Sequence, residues 1–136
     1  MSETHEGGCL CGAVRYVATG APSRSGICHC RMCQRATGQP MVAGAVFAKT
    51  AISVKGETRA YQSSSRARRH FCPTCGSPLF FEPLDQPEHL EVWLGTLDDP
   101  ARIEPAYHIF CASQVPWLAI QDDRPRHAEW RVPKPA

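Results

Sequence analysis

Short runs in which apolar and β-branched residues recur at close spacing repeat along the chain: AVRYVA, MVAGAVF, ISVKG, TRAYQ, RRHF, PLFFE, HLEVWLG and YHIFC. Runs of this length and composition, several of them alternating, predict β-strands. Turn-forming residues separate them, at Gly20 to Ser25, Gly38 to Pro40, Pro83 to Pro87 and Asp98 to Pro100. A helical pattern is confined to Arg31, Met32, Cys33, Gln34, Arg35 and Ala36, where Gly38 supplies a stop. Twelve prolines also disfavour long helices. The pattern therefore predicts an all-β domain over residues 5–121, made of several small, coiled antiparallel sheets with at most one short helix. From residue 122 to 136, with Pro125, Pro133 and Pro135, it predicts an irregular C-terminal extension.

A chain of 136 residues, 43% of them apolar, is the size of one domain with an ordinary core. The formal charge of +2 gives no reason to expect nucleic acid or an anionic membrane as the main partner. No stretch is long and apolar enough to span a bilayer, and the start MSETHEGG lacks the basic flank and apolar block of a secretory signal. A cytoplasmic protein is expected. Thiols stay reduced in that compartment, so eight cysteines point to metal binding before disulfides.

Seven of the eight cysteines are grouped: Cys9 and Cys11 as C-x-C; Cys28, Cys30 and Cys33 as C-x-C-x-x-C; Cys72 and Cys75 as C-x-x-C. Glycines follow two of the groups, Gly12 and Gly76, and free the backbone to turn amides toward sulfur. A closed zinc site takes four protein ligands, whereas a catalytic one takes three and keeps a position open. Seven grouped thiols divide accordingly. Cys9, Cys11, Cys72 and Cys75 would make a structural tetrathiolate zinc site, and Cys28, Cys30 and Cys33 an open one. For the triplet the alternative is a second closed site, completed by a histidine or by Cys111.

With a helix beginning after Cys30, the triplet lies at its start, where free amides favour thiolate. Arg24, Arg31 and Arg35 would offset the charge and could receive a substrate carboxylate. His29 is expected to point away from the metal, because alternate residues of an extended segment face opposite sides. Cys111 reads as a buried, inert thiol in a strand, and Phe80, Phe81, Trp93 and Phe110 as core.

The segments GGCLCGAVRY, CHCRMCQRATG, FCPTCGSPLFF, LEVWLGTLDDP and YHIFCASQVPWL, in this order, resemble the glutathione-dependent formaldehyde-activating enzyme family, which includes centromere protein V. The resemblance spans Gly8 to about Leu118. It implies a coiled-sheet fold known as a β-tent, a structural zinc on Cys9, Cys11, Cys72 and Cys75, and a catalytic zinc on Cys28, Cys30 and Cys33. The implied activity is that of a carbon-sulfur lyase that joins a small thiol such as glutathione to an aldehyde, formaldehyde in the family's name. His108 and Tyr107 are then candidates for proton transfer or substrate contact, the alternative being a structural role, since Tyr and His often fill half-buried strand positions.

Overall fold

In the computed structural model, which describes residues 3–131, strands dominate and form two sheets, with one short α-helix. The strands are β1 (Thr4–Gly8), β2 (Arg15–Thr19), β3 (Arg24–Cys28), β4 (Val42–Ala48), β5 (Ile52–Lys55), β6 (Arg59–Ser64), β7 (Ala67–Phe71), β8 (Pro78–Pro83), β9 (His89–Trp93) and β10 (His108–Ile109). Helix α1 is Arg31–Thr37, as its short pattern predicts, and Gly38 caps it. The all-β expectation holds. The strands are gathered more than expected, however, into a three-stranded sheet β1-β2-β5 and a seven-stranded sheet β10-β3-β4-β9-β8-β7-β6. One pairing departs from the antiparallel pattern, since β10 runs parallel to β3.

Two strands lack an apolar pattern. β1 is THEGG and β3 is RSGIC, yet each joins a sheet through backbone hydrogen bonds to a stronger neighbour. The YHIFC run yields only two strand residues, because Phe110 turns into the left-handed region at φ 56° and opens a 3-10 turn. Cys111 therefore sits half-buried at that turn and not in a strand, which corrects the expectation of a buried strand thiol. Among the described residues no helix is long and apolar enough to cross a membrane.

Strand parity gives the large sheet two unlike faces. On one, Ala45 pairs with Val92 and Phe47 with Leu90, and Val92 lies beside Phe80. These residues meet Val14, Tyr16 and Ala18 of the small sheet and its lead-in to form the core, where the Tyr16 and Phe80 rings pack edge to face at 5.1 Å. Truncating a buried ring such as Phe47 there would cost about 3–5 kcal/mol.

On the opposite face one row runs Arg24, Val46, Glu91, Phe81, Arg69 across β3, β4, β9, β8 and β7. The next row toward Cys28 contains Gly26, Gly44 and Trp93. The paired glycines leave this stretch without side chains. A Cβ on Gly26 would overlap the Tyr107 ring, and one on Gly44 the Glu91 carboxylate. Gly26, with the Tyr107 and Glu91 side chains that the glycines admit, forms the floor of a cavity.

Candidate metal centres

Cys9, Cys11, Cys72 and Cys75 converge, with all four sulfurs within 4.8 Å of one another. The Cys9–Cys11 and Cys11–Cys72 sulfur separations are 3.6 and 3.8 Å. A tetrahedral ion with zinc–sulfur bonds of about 2.3 Å would set its sulfurs about 3.8 Å apart, so the four fit a tetrathiolate centre. A disulfide would need about 2.05 Å, and all eight cysteines are free thiols.

The loops are built for anionic sulfur. Val14 N–H donates to Cys9 Sγ at 3.3 Å, Cys75 N–H to Cys72 Sγ at 3.5 Å, and Ser77 Oγ lies 3.1 Å from Cys75 Sγ. Gly12 and Gly76 take the left-handed conformation, at φ 82° and 79°, which lets each loop fold back on its sulfurs. Hydrogen bonds from Ser77 pull the Cys75 thiol down to about 5.

Cys28, Cys30 and Cys33 form a second cluster, again with sulfurs within 4.8 Å of one another. All three come from the end of β3 and the first turn of α1. Cys30 is the N-cap, and its Sγ accepts the Cys33 N–H at 3.3 Å. Hydrogen bonds from the Cys28 and Cys33 thiols, then the Cys33 amide and the Arg69 charge, drive Cys30 down to about 2. The same sharing, with burial, pushes Cys28 up. A set of three thiols with one already ionised suits a thiophilic cation such as zinc, which replaces the remaining protons.

Neither histidine nor Cys111 joins the triplet. His29 leaves the opposite side of the segment, as alternation predicts, and is fully buried with Nε2 2.9 Å from His108 Nδ1. His108 Nε2 lies 2.9 Å from Asp122 Oδ2. The carboxylate must accept, so His108 donates from Nε2, and its Nδ1 accepts from His29. Burial above all, helped by the Arg126 charge, lowers the His29 pKa and keeps that ring neutral. The hydrogen bond from His108, with Arg124, holds Asp122 well below the usual carboxylate range. Gln34 Nε2 also donates to the His29 carbonyl at 2.8 Å, so the turn between Cys28 and Cys30 is fastened on both sides.

The triplet stands at one end of a cavity of about 370 Å³, on the sheet face away from the core. That volume is in the range of small-ligand sites. Cys28, Cys30 and Cys33 line it, whereas no member of the tetrad does. Tyr107 lines it too, but His108, its fully buried neighbour, does not. Of the arginines singled out by sequence proximity only Arg24 reaches the cavity, because Arg31 and Arg35 lie on the exposed side of α1. Phe80 and Trp93 are buried as expected, but Phe81 and Phe110 are only partly so, and they line the cavity together with Trp93.

Three cavity residues escape a reading of the sequence. Arg69 crosses from β7, stacks on the Phe81 ring at 5.0 Å and directs Nη2 to Cys33 Sγ at 3.7 Å. Glu91 stands on the floor over Gly44, and burial raises its pKa to about 7 despite Arg24 and Arg69. Trp130, from the segment beyond residue 121, packs on Phe110 at 6.2 Å and forms part of the wall. Only Glu91 left a trace in the sequence, as one acid within the apolar run HLEVWLG.

Fold and sulfur clusters together define a β-sheet protein with two groups of cysteines competent to hold metal ions, one of four sulfurs away from the cavity and one of three facing it. The chain belongs to the glutathione-dependent formaldehyde-activating enzyme family, whose model matches residues 4–113. It is 33% identical over 92 residues to an uncharacterized lyase of Schizosaccharomyces pombe, covering 66% of this chain and 67% of that one. It is 29% identical over 134 residues to a protein of Halomonas elongata provisionally named glutathione-dependent formaldehyde-activating enzyme, covering 85% and 80%. A solved Rhodobacter sphaeroides protein shares the fold, with TM-score 0.56 and 24% identity over 74% of this chain and 91% of that one.

Proposed function

We propose that the protein is a zinc-dependent carbon-sulfur lyase that forms or cleaves the adduct of a glutathione-like thiol with an aldehyde, formaldehyde being the family's. The observation that carries this reading is the contrast in sulfur count and access. Cys28, Cys30 and Cys33 supply three donors and face the cavity, while the four donors of the other cluster do not. Zinc on the triplet would supply an open Lewis-acidic position at which a substrate thiol ionises near neutral pH.

The residues of the chain set the stage for that chemistry. Arg69 balances thiolate charge at Cys33, and the His29–His108–Asp122 chain with Gln34 holds the Cys28–Cys30 turn in shape, so His108 acts as a positioning residue. Phe81, Trp93 and Trp130 reduce the water around the reacting atoms. Tyr107, over Gly26, is placed to contact the aldehyde end. The tetrad is assigned a structural zinc.

The test is the exchange rate of glutathione with formaldehyde, compared with protein carrying Cys30→Ser. The expected outcome is acceleration by the zinc-loaded protein, loss of that acceleration in the variant, and a fall from two zinc ions per chain to one with the fold retained. Equal exchange rates with and without the native protein would leave a thiol-binding module instead of an enzyme.

A further inference from the structure

The cavity extends well beyond the triplet. Along β3, Cys28 and Arg24 are four residues apart, roughly 13 Å at strand rise. The β3 end of the Arg24, Glu91, Arg69 row therefore lies well away from the sulfurs, with Trp93 in the intervening row, while the Arg69 guanidinium reaches back to the triplet and bridges the two.

The polar groups between this row and the triplet are under-used. Among the described residues the Glu91 carboxylate makes no hydrogen bond and no ion pair, although guanidinium groups face it from β3 and β7 and Tyr107 from beside β10. Arg69 spends Nε on Ser63 at 3.2 Å and Nη2 on Cys33, but Nη1 is buried without a partner. The indole N–H of Trp130 is also buried and unpartnered. Arg24 is held by Gln86 at 2.9 Å, and Arg66 at the rim is neutralised by Asp85 at 3.0 Å. One unpaired acceptor and two unpaired donors thus remain on the wall of one cavity. Unsatisfied buried polar groups are costly, and a ligand that satisfies them binds selectively for that reason.

We propose that the stretch of cavity between this row and the triplet is a recognition subsite for an α-amino-acid head group, in which Glu91 binds the ammonium while Arg69 Nη1 and the Trp130 indole bind the carboxylate. The inference rests on the thiol-lyase reading, and it restricts the substrate to thiols that carry a zwitterionic amino acid several bonds from sulfur. Glu91 and Arg69 become specificity-determining residues. The burial that raises the Glu91 pKa also favours a cationic partner, since an ammonium removes the cost of an isolated carboxylate there. Gly44 belongs to the same device, because any side chain at that position would displace the Glu91 carboxylate.

Calorimetric titration of the zinc-loaded protein, without aldehyde, tests the subsite with three tripeptides. They are glutathione, glutaryl-cysteinyl-glycine, which lacks only the amine, and 4-aminobutyryl-cysteinyl-glycine, which lacks only the α-carboxylate. Glutathione is expected to bind about tenfold or more tightly than either analogue. Glu91→Gln should abolish the preference over the glutaryl peptide and keep the preference over the aminobutyryl one. Equal affinity for all three peptides in the native protein, or an unchanged glutathione-to-glutaryl ratio in Glu91→Gln, would overturn the subsite while leaving the lyase reading intact. Binding of none of the three would overturn both. The native series decides the matter even if the variant does not fold.

Discussion

The two cysteine clusters share a ligand chemistry and differ in everything around it. The tetrad joins the loop after β1 to the turn between β7 and β8, with Cys11 and Cys72 separated by 61 positions, and its sulfurs receive backbone amides in tight glycine loops. The triplet comes from six consecutive residues, sits at the mouth of a helix and has a guanidinium and a cavity where a fourth thiol would stand. One arrangement closes chain topology, and the other leaves space for a reactant. Sulfur count and access together separate the roles: a fourth sulfur completes one cluster, whereas a cavity adjoins the three of the other.

The most severe way to test that difference is to remove one thiol from the tetrad. Cys72→Ala is expected to unfold the domain or leave it without cooperative melting, because Cys72 is fully buried in the core and structural zinc contributes directly to folding. Circular dichroism and thermal melting would check this. A stably folded Cys72→Ala protein would show that the tetrad does not hold the sheets together. Stripping metal with a chelator should follow the same division, with the triplet ion lost first and the fold persisting until the second ion leaves.

Next in size is a consequence of the cavity floor. The Glu91 carboxyl, half-buried on the cavity floor and facing Arg24, Arg69 and Tyr107, has its pKa raised by desolvation from 4.5 to about 7. A folded state with the higher pKa binds the proton more tightly than the unfolded chain, so this group costs stability progressively as pH rises from 4.5 toward 7. Glu91→Gln should remove that cost. Its stability is expected to match the native protein near pH 4.5 and to exceed it above pH 7 by up to about 3 kcal/mol. Denaturant melts of both proteins across that range would check it, the shared metal dependence cancelling in the difference. A variant less stable than native at pH 8 would mean that Glu91 is paired in the empty cavity.

A smaller effect is expected behind the triplet. Asp122→Asn weakens the acceptor that orients His108 and, through it, His29. The loss should be about 1–3 kcal/mol, with faster release of the triplet metal and an unaltered tetrad. Metal-release kinetics with a colorimetric chelator would separate the two ions. Release that stays unchanged would detach this chain of imidazoles from the triplet.

How much of this could be read from the sequence follows the same line between local and long-range information. Cysteine grouping, the loop glycines and the short helix ending at Gly38 are local, and all appear where the spacing puts them. Eight of the ten strands follow apolar runs, whereas β1 and β3 are held by their neighbours' backbone and have no pattern of their own. The cavity was the harder part. Alternation along HLEVWLG separates Glu91 and Trp93 from Leu90 and Val92, but which face is core depends on a second sheet whose position no period encodes. Arg69 could not be distinguished from Arg68, since adjacent strand residues always face opposite ways and only the topology sends Arg68 to Glu82 and Arg69 to Cys33. Trp130 lies in a segment that carries no strand or helix pattern, and it reaches the cavity because 3-10 and bridge contacts to β10 draw the chain back.

The smallest expected effect contrasts charges near the triplet in sequence with those near it in space. Arg31 and Arg35 flank Cys33, and their position suggested a role in receiving a substrate carboxylate. Both are exposed on α1 and outside the cavity, with Arg31 engaged by Gln34 and Arg35 placed in the last turn of the helix. A cation at a helix C-terminus contributes about 0.3–1 kcal/mol through the dipole, and bulk water screens it from a ligand on the other side of the triplet. Arg35→Glu is therefore expected to lower stability by no more than about 1 kcal/mol and to leave the glutathione dissociation constant unchanged, whereas Arg24→Glu, on the cavity row, should weaken binding. Titrations of both variants at matched ionic strength would check this. A loss of affinity in Arg35→Glu as large as in Arg24→Glu would mean that the substrate enters across α1 and not over the glycine floor.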